Sequence, residues 1–141
     1  MLLLTLIQFG VQRMESHKCR VLLVDDHVPI RIALRNALAG YDDIQVVGEA
    51  CDGAQAVEQV AAHQPDVILM DIHMPRMNGI EATRIIKKSW QEVAIIGLCM
   101  IQEIYTTNTL LKAGALAVIS KDGIEHLHSV IQRACRVPPS A

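Results

Sequence analysis

A chain of 141 residues has room for one domain with a buried core and little more. At 51% hydrophobic and 20% charged residues it has the composition of a soluble globular protein, which argues against disorder. The net charge of −2 leaves no basic excess to neutralise a phosphate backbone, so direct nucleic-acid binding by this chain is not expected.

The opening stretch from Met1 to Phe9 is apolar but far too short to span a bilayer, and it lacks the basic start and small-residue cleavage site of a secretory signal. Met14, followed by Glu15-Ser16-His17-Lys18, is a natural start for the domain. Residues 1 to 13 therefore read as an extension or a misassigned start, with a peripheral membrane anchor as the alternative. The domain itself is expected over residues 19–136, after an N-terminal extension of 1–18 and before a tail or linker stub of 137–141.

Arg20 to Val24 is a buried-strand run that exits on Asp25-Asp26. Ile30, Ala33, Leu34, Ala37 and Leu38 then recur at helical spacing, Arg31, Arg35 and Asn36 take the other face, and Gly40 supplies the stop. Gln45 to Ala50 is a weaker strand, and Asp52 should cap a helix carrying Ala54, Val57, Val60 and Ala61. His63-Gln64-Pro65 breaks that helix. Asp66 opens a second fully apolar strand that ends on Asp71, and a Pro/Asn/Gly loop leads into a helix from about Ile80 to Lys88. Val93 to Cys99 is a fourth strand, Ile104 to Ala113 a helix ended by Gly114, and Ala115 to Ser120 a fifth strand with Lys121 at its exit. Asp122 should cap a last helix whose Ile124, Leu127, Ile131 and Ala134 face inward, before Pro138 and Pro139 end the domain.

Strands alternating with helices through short loops imply right-handed crossovers and one parallel sheet between two helical layers. In such a sheet the strand exits share one edge, where ligands bind. Asp25, Asp26, Asp71, Cys99 and Lys121 are thereby brought together. Clustered carboxylates repel one another and call for a cation, and magnesium fits because it accepts one or two carboxylates and pairs with phosphate. A lysine opposite them suits phosphoryl oxygens, so acceptance of a phosphoryl group by Asp71 is the chemistry this set can perform.

Four separated motifs carry a resemblance: Val24-Asp25-Asp26-His27, the run from Met70 through Asp71, His73, Met74-Pro75 and Gly79 to Arg84, Lys112-Ala113-Gly114-Ala115, and Lys121-Asp122. Over residues 19 to about 136 the chain resembles the receiver domain of two-component response regulators, nearest the NarL/FixJ branch. The resemblance implies a flavodoxin-like (βα)5 α/β fold, a five-stranded parallel sheet in the order 2-1-3-4-5 with helices on both faces. It implies that Asp71 is the phosphoacceptor for a histidine kinase or phosphotransfer protein. Asp26 would be the direct ligand of Mg2+, Asp25 a ligand largely through water, Asp71 a ligand, and the His73 backbone carbonyl the remaining contact. Lys121 would pair with the phosphate. Two switch positions depart from the family pattern. Cys99 stands where Thr or Ser is usual, with a larger and weaker donor, and Val118 replaces an aromatic and has no polar tip. Acceptor chemistry is thus expected intact and the usual coupling altered, so that phosphorylation shifts the conformational equilibrium weakly or through other contacts.

The remaining chemistry-bearing residues read blandly. The four cysteines, Cys19, Cys51, Cys99 and Cys135, show neither C-x-x-C pairing nor companion histidines for zinc and read as reduced cytoplasmic thiols. Cys99 reads as a small buried hydrophobe, His73 as lining the site, and His126 and His128 as surface residues. Met74, Met77 and Met100 read as packing around the pocket, and Tyr105 as an ordinary half-buried aromatic.

The leading functional reading is a stand-alone cytoplasmic receiver that signals through protein contacts with a downstream partner, since no output domain follows Ala141. Dimerisation through the fourth and fifth helices is an expectation from the resemblance. A second reading is the receiver portion of a LuxR-type transcription factor, with Val137-Pro138-Pro139-Ser140 as the stub of a linker. A third is a binding module independent of phosphate, favoured by Cys99 and Val118 and opposed by the complete acidic set. A free-standing phosphohydrolase is disfavoured because His73 occupies the place of its usual general acid and base, two residues after the nucleophile. No catalytic turnover beyond slow loss of the chain's own aspartyl phosphate is expected.

Overall fold

The computed structural model describes residues 18–100 and 104–136. The expectations for residues 1 to 13 and for the stretch from Val137 onward lie outside them. Five strands, β1 (Cys19–Val24), β2 (Ile44–Ala50), β3 (Val67–Asp71), β4 (Ala94–Cys99) and β5 (Ala117–Ser120), alternate with helices α1 (Val28–Ala39), α2 (Gly53–His63), α3 (Gly79–Ser89), α4 (Ile104–Ala113) and α5 (Leu127–Arg136). The strands form one parallel sheet in the order β2-β1-β3-β4-β5.

Alternation along the central strands sorts the core into two layers. Leu22, Val24, Ile68, Met70 and Ile95 point to the side covered by Ala56 and Val60 of α2, Ala82 and Ile86 of α3 and Leu110 of α4. Val21, Leu23, Val67, Leu69, Ile96 and Leu98 point to the other, covered by Leu34 and Leu38 of α1 and Leu127, Ile131 and Ala134 of α5. Close approach of α4 to the sheet depends on Gly97, where a Cβ atom would stand 2.1 Å from Leu110 Cδ2.

Helix starts follow the polar residues at their entrances. The Asp52 side chain accepts a hydrogen bond from the Gln55 amide and caps α2, as expected, and Asn78 does the same for α3 through the Glu81 amide. The last helix differs from the sequence reading. Ser120, not Asp122, supplies the cap by accepting from the Asp122 amide, and a 3-10 segment, Lys121–His126, precedes the α-helix at Leu127. Three small residues assigned to buried helix faces, Ala33, Ala54 and Ala61, are exposed. Alanine fits either environment, so the larger Leu34, Leu38 and Val60 decide the orientation. Strands β4 and β5 also begin later than the apolar runs suggest, leaving Val93 and Ala115 as buried lead-in residues.

The reading of all four cysteines as reduced thiols is corrected: Cys19, the first residue of β1, forms a disulfide with Cys135 near the end of α5. Cys51 and Cys99 take no part in a disulfide. Residues separated by 116 positions give no local sequence signal, and only the placement of α5 against the start of β1 brings them together. His128 is not a plain surface residue either. Its ring stacks on Tyr41 at a centroid distance of 3.6 Å, and its Nε2 lies 2.9 Å from Asp43 Oδ1.

Candidate functional site

Parallel pairing of β1 with β3 through Val24 and Met70 puts the residues that follow them side by side. Asp25 is fully buried and Asp71 is 3% exposed. Asp25 is held through both of its backbone groups: its amide donates to the Ala50 carbonyl at 3.0 Å, and its carbonyl accepts from Arg31 at 2.5 Å. Arg31 thus serves the site from α1, although its spacing placed it on the outer face; its Nε also donates to Glu49 at 3.0 Å. Asp71 sits at the end of β3, where the Ile72 carbonyl accepts from the Gly79 amide at 2.9 Å. A Cβ at Gly79 would lie 2.1 Å from the Asp71 carbonyl oxygen, so only glycine lets α3 start this close to the strand exit.

Lys121 completes the centre. It is 8% exposed, and its Nζ lies 2.8 Å from Asp25 Oδ2 and 3.1 Å from Asp71 Oδ1. Burial presses its ammonium toward neutrality, but hydrogen bonding to Asp25 and the charges of Asp71 and Asp25 outweigh this and raise its pKa above the usual lysine value. For Asp71 burial, reinforced by the negative charge of Asp25, outweighs Lys121 and pushes the carboxyl up to about 6. A single ammonium does not neutralise this many acids. Asp71 Oδ2 is a buried oxygen without a hydrogen-bond partner, and it lies in a cluster in which ligand atoms of Asp25, Asp26, His27 and Asp71 fall within 4.8 Å of one another. An acidic pocket in which Asp25, Asp26 and Asp71 each keep a buried carboxylate oxygen outside any hydrogen bond fits a hard divalent cation such as Mg2+.

The structure therefore brings together Asp25, Asp26, Asp71 and Lys121. Cys99 is buried at the end of β4, with Sγ 3.8 Å from the Ile119 carbonyl oxygen, and Val118 is half-buried on β5. His73 is exposed on the loop between Ile72 and Gly79. Met74 is buried and Met77 packs against the core, whereas Met100 is 59% exposed and does not pack with them. Tyr105 is 82% exposed, not half-buried.

Besides Arg31, two contributors escaped the sequence reading. His27 Nδ1 lies 3.3 Å from Asp25 Oδ1 and 3.1 Å from Asp26 Oδ1, and its amide donates to Asp25 Oδ1 at 2.9 Å. Its adjacency to the acid pair was the available signal. Asp52, besides capping α2, lies 3.4 Å from Arg76, a non-glycine residue at φ 68°, while the Gly53 amide donates to the Met77 carbonyl at 3.0 Å. The start of α2 thus braces the loop that follows Asp71, a pairing across 24 positions without a sequence signature.

This sheet order with an acidic strand-exit pocket and an opposed lysine defines a receiver-type α/β protein. The chain belongs to the response regulator receiver domain family, whose pattern matches residues 21–132. It is 44% identical over 101 residues to the response regulator UvrY of Escherichia coli, a match covering 72% of this chain and 46% of that protein. It is 41% identical over 102 residues to the transcriptional regulatory protein LiaR of Bacillus subtilis, covering 72% of this chain and 48% of LiaR. Among solved structures, the response regulator domain of Thermotoga maritima CheB superposes with a TM-score of 0.81 at 34% identity, covering 87% of this chain and 100% of that one. The signal receiver domain of the putative response regulator NarL from Mycobacterium tuberculosis gives 0.77 at 33%, covering 84% of this chain and 98% of that one. The chain spans under half the length of the curated relatives it matches, and those relatives come from several branches of the superfamily. Over those residues it is a signalling receiver domain. Among the described residues no helix is long and apolar enough to cross a membrane.

Proposed function

We propose that residues 19–136 form a phosphoacceptor receiver of the NarL/FixJ type, in which Asp71 takes a phosphoryl group from a histidine kinase or phosphotransfer protein. One observation carries this reading: Lys121 bridges Asp25 and Asp71 in a buried pocket while Asp71 Oδ2 is left without a hydrogen-bond partner. That oxygen is the nucleophile. It forms the new P–O bond as the P–N bond of the donor phosphohistidine breaks and the imidazole leaves. Lys121 shifts from carboxylate to phosphoryl oxygen as the charge moves there. Asp25, Asp26, Asp71 and the His73 carbonyl are the proposed ligands of Mg2+, which when bound supplies positive charge opposite the phosphoryl oxygens. Cys99 and Val118 are the proposed switch positions, and their weak polar capacity supports a small conformational response. The reading places the protein in the cytoplasm, acting on a downstream protein partner. Exposure of Ile104, Tyr105 and Leu111 on α4 supports dimerisation along that side.

Intact mass after incubation with a small-molecule phosphodonor tests the acceptor. The expected result is one phosphoryl adduct that requires Mg2+ and is absent from Asp71→Asn. Well-folded protein that takes no adduct would instead favour a phosphate-independent binding module.

The second reading, the receiver portion of a DNA-binding transcription regulator, is favoured by the name and length of the relative LiaR. Sequencing the gene beyond the codon for Ala141 decides it: a continuing reading frame with a helix-turn-helix supports this version, and a stop codon removes it.

A further inference from the structure

Where β1 begins and α5 ends, a second cluster of ligand atoms forms at the edge of the sheet opposite the Asp71 pocket. Cys19 Sγ, Cys135 Sγ and a carboxylate oxygen of Asp66 lie within 4.8 Å of one another. The two sulfurs are joined as a disulfide, with Cα atoms 6.1 Å apart. We propose that reduction of this disulfide by a thiol converts the cluster into a binding site for one thiophilic divalent cation, with zinc the natural occupant.

Each ligand is held by contacts other than the S–S bond. The Cys19 amide donates to the Asp43 carbonyl at 2.8 Å, and Cys19 pairs in the sheet with Ile44. Asp66 donates from its amide to the Arg20 carbonyl at 2.8 Å, accepts from the Ala94 amide at 3.0 Å, and receives the Arg20 amide on Oδ2 at 2.9 Å. Cys135 rides on α5, which is seated by buried Leu127, Ile131 and Ala134. Cleaving the disulfide therefore leaves the two sulfurs facing each other beside a positioned carboxylate. Cys135 is half-buried, which gives a reducing thiol access.

The chemistry balances simply. Two thiols of the reductant become one disulfide, and their two electrons and two protons convert the Cys19–Cys135 bond into two thiols. Binding of the cation then releases both thiol protons, because the thiolate is the ligand. Without the cation the adjacent carboxylate disfavours thiolate charge. Two thiolates and one carboxylate, with a fourth position left to water, form a donor set that suits zinc, whereas the all-oxygen acids around Asp71 suit magnesium. The wide spacing of positions 19, 66 and 135 hides this site from any motif search.

Cobalt is the probe, since a thiolate-to-cobalt charge-transfer absorption reports sulfur ligation and is blind to the acids around Asp71. The full chain is reduced with a phosphine, desalted without oxygen and titrated with Co2+, then with Zn2+. The expected result is one sulfur-bound Co2+ per chain, displaced by Zn2+, and none in the oxidised protein. Cys135→Ser abolishes the absorption, Asp66→Asn weakens cobalt affinity about tenfold or more, and Cys51→Ser leaves the cobalt titration as in the wild type. Alkylating the reduced wild type must abolish the signal too, which keeps the test valid if a variant fails to fold. Absence of the absorption in reduced wild type overturns the proposal. So does its survival in folded Cys135→Ser, or wild-type affinity in folded Asp66→Asn.

Discussion

Asp71 and Lys121 hold opposite charges in the same buried pocket, and their substitutions should move stability in opposite directions. Burial and Asp25 raise the Asp71 carboxyl to about 6 from the ordinary 3.8, so the fold favours its neutral form. Stability from this group is present below the unfolded value and is lost as pH rises toward 6. Asp71→Asn should therefore raise the melting temperature at pH 7.5 in the absence of divalent cations, within a bound of roughly 3 kcal/mol for two pKa units. The gain should vanish near pH 4, as thermal melts at the two pH values would show. Lys121→Met leaves Asp25 and Asp71 facing each other without their shared cation. It should cost about 3–5 kcal/mol at pH 8 and less at pH 5, where Asp71 is protonated, which denaturant titration can read. These roles were legible because acid pair, lone acid and lysine each sit at the end of an apolar run. The contributions of His27, Arg31 and Asp52 were not, because they depend on which rotamer reaches across a loop or from a neighbouring helix.

Elements of this chain are positioned by small residues as much as by large ones. Gly97 lets α4 settle on β4, and Gly97→Ala should lose about 1–3 kcal/mol as Leu110 is displaced, with the change in amide exchange concentrated in α4. Asp52→Ala removes the cap of α2 and the partner of Arg76 together. A loss of about 1 kcal/mol is expected from the cap alone. Slower phosphoryl uptake should accompany it if the loop after Asp71 loses its brace, with phosphorylation followed by mass against time as the check. The positions of β1, β2 and β3 and the start of α2 could be read from apolar runs and the capping Asp52. The 3-10 segment after β5 could not, because Ser120 and Asp122 are both competent caps and only the packing of Lys121 into the pocket selects between them. The outward placement of Ala33, Ala54 and Ala61 was equally hidden, since a methyl group gives little preference for either face.

At the scale of the molecule, a single covalent link between β1 and α5 spans 116 positions of the chain. In the chain-entropy account a loop this long contributes about 4–5 kcal/mol by restricting the unfolded ensemble. Cys135→Ser should lower stability by that order in oxidising buffer and by little after reduction, a comparison that chemical denaturation with and without a phosphine makes directly. The stack of His128 on Tyr41 and its contact with Asp43 tie the same helix to the α1–β2 turn without covalent help.

That link also changes the topology of the chain. Asp25, Asp71 and Lys121 all fall between Cys19 and Cys135, so the working parts of the domain lie on a closed covalent ring. A protease cut anywhere on the ring opens it without dividing it, and the two pieces remain one molecule that can keep its packing and its pocket. Nicked protein should run at full mass until a reductant is added, and only then separate into fragments.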